Sequence, residues 1–420
     1  TVRIQAALLS LALLLAPSIG AQKVARVPTR PRLDPQADTN DAHSYYRYGV
    51  SMIDSKPAES VRAFYWAARL DPSSGEALYA LRTASLLDMS GTAMLDYFDY
   101  SQKKRKPEYL ALDSLLYRAY TINPFLYRML DRSLSRKYLE EAVREENPGI
   151  GGADLNLAII DFMRDVRHSG WASYSDGRFK DALDAYAKQL QTLDKTKNRK
   201  NKKEHDDDAS EIHAERARIF YLLGNMDSAL TEMTAAVAGM RERDAKDLVV
   251  LYESKAMYDQ SLGMIHEQAK HTDEAREAYG QALQEDLSYY AAHTRMAMLQ
   301  LAQGDTTNAL TEMDLAVQLE PNDPVLRYNY AMALVTAHRD GDAATQLMKA
   351  AEADPYFAAP HLLLARIADV EQYADDAVRE YQQFLALSPK NDPQAAIAKT
   401  RMSALTSTVA STPAAPTSKP

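Results

Sequence analysis

Along most of the chain, apolar residues recur at helical spacing, and the pattern breaks at prolines, glycines and short polar runs. The second half carries the clearest beat. The segments QLAQGDTTNALTEMDLAVQLEP, LVTAHRDGDAATQLMKAAEADP and IADVEQYADDAVREYQQFLALSP end at Pro321, Pro355 and Pro389, two steps of 34 residues. A small residue keeps the same interval at Ala275, Ala309, Ala343 and Ala377, with large residues Tyr279, Met313, Leu347 and Tyr381 four places on and a small one again at Ala282, Ala316 and Ala350. Small side chains let two antiparallel helices approach closely, and large ones interdigitate to cover them. A proline past the second helix cannot continue it. Each unit therefore predicts a pair of antiparallel helices, and residues 256 to 389 predict four such pairs in register.

Looser units precede these. Gly170, Gly177, Phe179, Ala182 and Tyr186 fit one, and Ala217, Gly224, Ala229, Met233 and Ala236 fit the next. The intervals 229 − 182 = 47 and 275 − 229 = 46 imply an insertion of about a dozen residues in each. Gly177, Gly224 and Gly304 fall where the turn between two helices begins. An N-terminal unit is expected over Tyr45 to Pro72, with Gly49, Phe64 and Ala67 one residue off the beat. Residues 73 to 165 read as helices near 75–88, 92–104, 107–121, 124–146 and 153–167, punctuated by Pro107, Pro124 and Pro148. They lack the repeat marks and read as diverged repeats, or alternatively as a private helical insertion.

The 34-residue pattern resembles the tetratricopeptide repeat family. The resemblance implies an all-α, right-handed superhelical solenoid of antiparallel helix pairs, working as a non-catalytic scaffold that holds proteins or peptides on its concave surface. By the same resemblance, the fifth and ninth positions of each unit face that groove. The fifth holds Arg167, Ala214, Gln260, Thr294, Tyr328 and Leu362; the ninth holds Trp171, Arg218, Met264, Met298, Met332 and Arg366. This departs from the branch of the family that clamps a peptide carboxylate with recurring Lys and Asn. The expected partner-binding groove is Trp171, Met264, Thr294, Met298, Tyr328, Met332 and Arg366. Its methionine row suits an irregular apolar partner, although methionines repeated at this spacing also serve to fill space between helices.

The ends carry different signals. Residues 1–21 place Arg3 before an apolar run from Ala6 to Ala16 and small residues at Ser18, Gly20 and Ala21, which predicts a secretory signal peptide cut after Gly20 or Ala21. The run is too short to span a bilayer, which needs about 20 apolar residues. The expected division is a linker over 22–40, an N-terminal helical region over 41–165, the repeat array over 166–391, a capping helix over 392–406 and a disordered tail over 407–420. Export to a periplasm or the extracellular space follows as an expectation, with envelope-associated proteins as partners.

Composition narrows the chemistry. The 420 residues hold 49 Lys and Arg against 58 Asp and Glu, a net charge of −9, and no cysteine. That excludes disulfides and thiolate metal sites, and it disfavours a general nucleic-acid binder. No catalytic, cofactor or metal site is expected. His266 and His271 are five apart, whereas two zinc ligands on one helical face stand four apart. The basic run from Lys195 to Lys203, followed by Asp206 to Asp208, reads as a self-neutralising insertion in which Asp208 caps the next helix and Glu211 reaches back. A second functional class is glycan binding, since 25 tyrosines are many and Trp171, Tyr174 and Tyr186 could stack on sugar rings.

Overall fold

The computed structural model describes residues 27–99, 105–165, 168–196, 202–242 and 254–411. The chain divides into two compact units, residues 1–30 and 31–420. The first is described only from Val27 and holds no helix there, so the expected signal peptide lies outside the described residues. The second carries twenty helices and, among the described residues, no strand. It is an all-α solenoid of antiparallel helix pairs.

The pairs of the repeat array are α8 (Ser169–Ser175) with α9 (Phe179–Thr196), α10 (Lys202–Leu222) with α11 (Met226–Glu242), α12 (Lys255–Gln268) with α13 (Thr272–Glu285), α14 (Tyr290–Ala302) with α15 (Thr306–Leu319), α16 (Pro324–Thr336) with α17 (Asp340–Ala353), and α18 (Ala359–Val370) with α19 (Ala374–Leu387). All six pairs turn the same way. The residue ending the first helix of each is left-handed: Gly177, Gly224, Lys270, Gly304, His338 and Gln372. The next amide then reaches back five residues, as in Asp305 N to Gln300 O at 2.9 Å and Arg339 N to Leu334 O at 2.9 Å. This satisfies carbonyls that the helix end leaves open. Glycine occupies three of the six turns; Lys270, His338 and Gln372 take the same conformation at a steric cost.

Packing inside each pair follows the small and large residues. A Cβ added to Gly263 would lie 2.5 Å from the Tyr279 ring, and one on Gly170 would lie 2.7 Å from Tyr186. Later pairs place the buried residues Ala297, Ala331 and Ala365 opposite buried Met313, Leu347 and Tyr381. Polar bridges 19 residues apart tie the same two helices: His213 to Glu232, His293 to Glu312, Arg327 to Gln346 and His361 to Glu380. Pro321, Pro355 and Pro389 each stand two residues past a second helix.

The N-terminal arm begins with another pair, α1 (Ala42–Met52) and α2 (Pro57–Leu70), where Gly49 lies under the Phe64 ring. Beyond it the pairing changes. α3 (Gly75–Asp88) packs on α5 (Pro107–Ile122), while α4 (Gly91–Phe98) packs on α6 (Asp131–Glu146), and α7 (Gly152–Arg164) follows. This is not a row of consecutive pairs. The helix expected over 92–104 ends at Phe98, and 100–104 lie outside the described residues. The one expected over 124–146 starts only at Asp131, because Asn123 Oδ1 accepts from Phe125 N at 2.9 Å in a turn that buries Phe125 and Leu126. The helix expected over 153–167 closes at Arg164.

Other boundaries shift too. α10 starts at Lys202, so Asp208 sits inside a helix and does not cap one; residues 197–201 of the basic run lie outside the described residues. The last helix, α20 (Pro393–Ser411), runs past the expected end at 406 into the segment expected to be disordered. Residues 31–40 are non-helical and pinned, with Asn40 Nδ2 donating to Ala386 O at 2.8 Å and Lys390 N donating to Asp38 at 2.6 Å.

Those last contacts open a series that runs backwards along the array. Arg69 pairs with Asp354 at 3.0 Å, and Trp66 meets Tyr356 edge to face at 4.8 Å. Arg118 pairs with Asp323 at 3.1 Å, and Tyr117 packs against Tyr289 and Tyr290. Gln260 Nε2 donates to Thr121 O at 3.0 Å, and Phe125 stacks on Tyr221. The arm therefore folds back antiparallel on the array, joining it at the loops before α14, α16 and α18 and the loop after α19. One hydrophobic core holds Tyr45, Trp66 and Tyr120 together with Tyr289, Tyr290 and Ala331.

Candidate binding groove

The ninth-position residues fall into two environments. Met264 is 8% exposed and packs in a core with Phe125, Met296 and Leu299. Met298 and Met332, one and two repeats further on, are each 45% exposed. Arg366 is also exposed and donates from Nη2 to Gln394 Oε1 at 2.6 Å. The difference arises from the arm: Phe125 of the 120–128 segment packs in the core that buries Met264, while Met298 and Met332 stay exposed beyond it. Two of the three methionines are thus surface, and the third is core.

At the fifth position, Thr294 and Tyr328 are half-buried; Thr294 Oγ1 donates to Tyr290 O at 3.0 Å, and Tyr328 meets Phe357 edge to face. Gln260 is fully buried, holding Thr121 O and the Tyr289 hydroxyl. Trp171 is half-buried on α8, at the far end of the array from Met332, so the structure does not bring it into one surface with Met298, Met332 and Arg366. Arg167 lies outside the described residues. Tyr174 and Tyr186 are buried, so neither offers a ring face to a sugar. The tyrosines instead supply the core and the arm junction, where burial pushes the Tyr289 and Tyr117 hydroxyls well above their usual range.

Where the arm closes the groove, charges gather. Glu215 accepts from Arg128 Nη2 at 2.8 Å and from Arg218 Nη1 at 2.5 Å. Burial alone would raise its carboxyl, but the Arg128 and Arg218 guanidiniums outweigh it and hold it at about 2. Arg128 also lies 3.5 Å from Asp131, which accepts from the Tyr79 hydroxyl. Arg128, Glu215 and Arg218 border a cavity of about 190 Å³ with Tyr120, Phe125 and Tyr258 in its wall. Positive and negative groups are matched there, and the arrangement reads as a latch between arm and array. His266 and His271 have rings 5.8 Å apart, and no group of three metal-ligating side chains stands together among the described residues.

A second cleft, of about 220 Å³, opens where the arm meets the uncovered part of the groove. Thr294, Met298 and Asn329 of the array line it together with Ser73, Thr121 and Ile122 of the arm. Asn329 carried no signal in the sequence beyond lying one place after Tyr328. The arm residues carried none, because they are about 170 positions away from the helices they meet.

No family model matches the sequence, and no curated protein matches it significantly. Similar solved structures include MamA from residue 41 to its end, from Desulfovibrio magneticus RS-1, at 14% identity over 43% of this chain and 95% of that one, with a TM-score of 0.37. Another is YrrB, described as a TPR protein with an unusual peptide-binding site, at 15% identity over 52% of this chain and 100% of that one, with a TM-score of 0.38. A third is yeast Tom70, at 14% identity over 88% of this chain and 90% of that one, with a TM-score of 0.40. By its own geometry the chain has a tetratricopeptide-like repeat fold: antiparallel helix pairs, on a 34-residue beat in the last four, the same left-handed turn in all six pairs of the array, and small residues under large ones.

Proposed function

We propose that this chain is a non-catalytic, protein-binding scaffold of the cell envelope that holds a partner segment on the uncovered half of its groove. One observation carries the reading: Met298 and Met332 stand exposed at equivalent places on neighbouring first helices, while Met264, their counterpart one repeat earlier, is buried. Exposed, adaptable thioethers one repeat apart form a stripe suited to an apolar or amphipathic segment. YrrB, by its description, is a repeat protein with a peptide-binding site. The envelope setting is supported by the apolar run of residues 6–16 and the small residues after it. Among the described residues no helix is long and apolar enough to cross a membrane.

A photoreactive residue at 298 or 332 should crosslink a partner in living cells, and one at 264 should not. Met298→Ser with Met332→Ser should lose that capture by tenfold or more and keep the helical melt. Undiminished capture by the double variant would overturn the reading. Sequencing the N-terminus of the mature chain tests export, with a start at Ala21 or Gln22 expected.

A further inference from the structure

The cleft between arm and array has the makings of a pocket for one side chain. Its volume of about 220 Å³ exceeds the roughly 150 Å³ that accepts a benzene ring in an apolar protein interior. Its apolar wall comes from Ile122 on the arm and from Ala291, Met298, Val325 and Leu326 on the array. The polar groups in the lining are already engaged. Thr121 Oγ1 lies 2.8 Å from the Tyr290 hydroxyl, and Ser73 Oγ donates to Asp71 at 2.6 Å. Asp323 receives the Val325 and Leu326 amides and pairs with Arg118. Arg295 stands 3.8 Å from Glu267, an ion pair beyond hydrogen-bond range. Among the described residues, Asn329, with a neutral amide, and Arg295 are the polar lining side chains without a hydrogen bond.

A cation entering here would shed its water and find Asp323 already paired with Arg118, and an anion would shed its water to share Arg295 with Glu267, so either loses hydration without a full counter-charge. An uncharged apolar group meets a wall that fits it. We propose that this cleft is an anchor pocket for a single large, uncharged apolar side chain of the bound partner, phenylalanine- or leucine-like, and that the arm, through Ile122, forms one wall of it. The proposal rests on the groove reading above for the origin of that side chain. It makes the fold-back of the arm part of recognition, since the array alone supplies only the opposite wall.

The test uses the full chain and single-residue probes. N-acetyl-phenylalanine amide, N-acetyl-leucine amide, N-acetyl-lysine amide and N-acetyl-glutamate amide are titrated while methyl NMR signals of Ile122 and Met298 are followed. Burying a large apolar side chain is worth about 10- to 100-fold in affinity. The phenylalanine and leucine probes should shift both methyls together and bind at least tenfold tighter than the charged ones. Ile122→Ala should weaken the phenylalanine probe about fivefold or more, with a cooperative melt, at a lower midpoint, showing that the fold survives. Ala291→Leu, which fills the cleft, should abolish the shifts; Met348→Ser, exposed on α17 and outside both cleft and groove, should leave them intact. Equal binding of charged probes, shifts at Met298 alone, or indifference to Ile122→Ala would overturn the proposal. Crosslinking at Met332 that finds no partner would count against the groove reading while leaving the probe result standing.

Discussion

His213, His293 and His361 hold one place in three repeats, each with Nδ1 on a glutamate 19 residues ahead, yet His293 differs from the other two. Its Nδ1 lies 2.6 Å from Glu312 Oε2 and its Nε2 lies 3.0 Å from Leu287 O, so both ring nitrogens face acceptors. A neutral imidazole has one N–H and cannot satisfy both. Burial pulls its pKa down, but the bonds to Glu312 and the Leu287 carbonyl outweigh that and raise it above 6.5. A raised folded-state pKa contributes stability that is fully present below about 6.5 and is lost as pH rises through the folded value. The thermal midpoint should therefore decline as pH climbs from about 6.5, and His293→Gln should be less stable at pH 6 and flatter above it. A wild-type midpoint that does not change between pH 6 and 9 would contradict this. None of it was legible in the sequence, where all three histidines look alike; the Leu287 carbonyl reaches the ring only because the loop before α14 folds over it.

At the scale of elements, what fixes each repeat is one close approach. Where the first helix offers glycine, as at Gly49, Gly170 and Gly263, an aromatic ring from the second lies on it. Where it offers Ala297 or Ala331, Met313 or Leu347 fills the place. Gly263→Ala puts a Cβ 2.5 Å from the Tyr279 ring and should cost about 1–3 kcal/mol through overpacking. Adding Tyr279→Met recreates the alanine-over-methionine pairing of 297 and 313 and should recover most of the steric loss, less the hydrogen bond that Tyr279 gives Glu267 at 2.7 Å. A double-variant melt no better than the single would refute that packing rule. These pairs were legible because both partners lie within one 34-residue window. The helices from α3 to α7 were harder, because α3, besides packing on α2, also packs on α5 across the intervening α4. Periodicity marks a buried face; it does not say which helix covers it.

Across the whole molecule, the arm decides what the groove can be. Its fold-back buries the array near Met264, leaves Met298 and Met332 open, and supplies a wall of the cleft between them and Ile122. Arg69 to Asp354 and Arg118 to Asp323 pin the middle of that junction. Removing both with Arg69→Ala and Arg118→Ala leaves two shielded carboxylates without their cations, at about 2 kcal/mol each. The expected result is faster amide exchange at residues 66–71, 117–122, 322–326 and 354–357, where those pairs sit, with the α10 and α11 repeat unchanged; identical exchange in variant and wild type would show that the aromatic contacts alone hold the arm. The sequence by itself determined the helix pairs, their turns and their small-over-large packing, because those contacts are local and repeat at a fixed interval. It also nominated the groove positions. Only the tertiary structure decided which of those positions are open, because the covering residues come from a segment far away in the chain. Contacts such as Thr121 with Tyr290 span 169 positions and leave no periodic trace in the sequence.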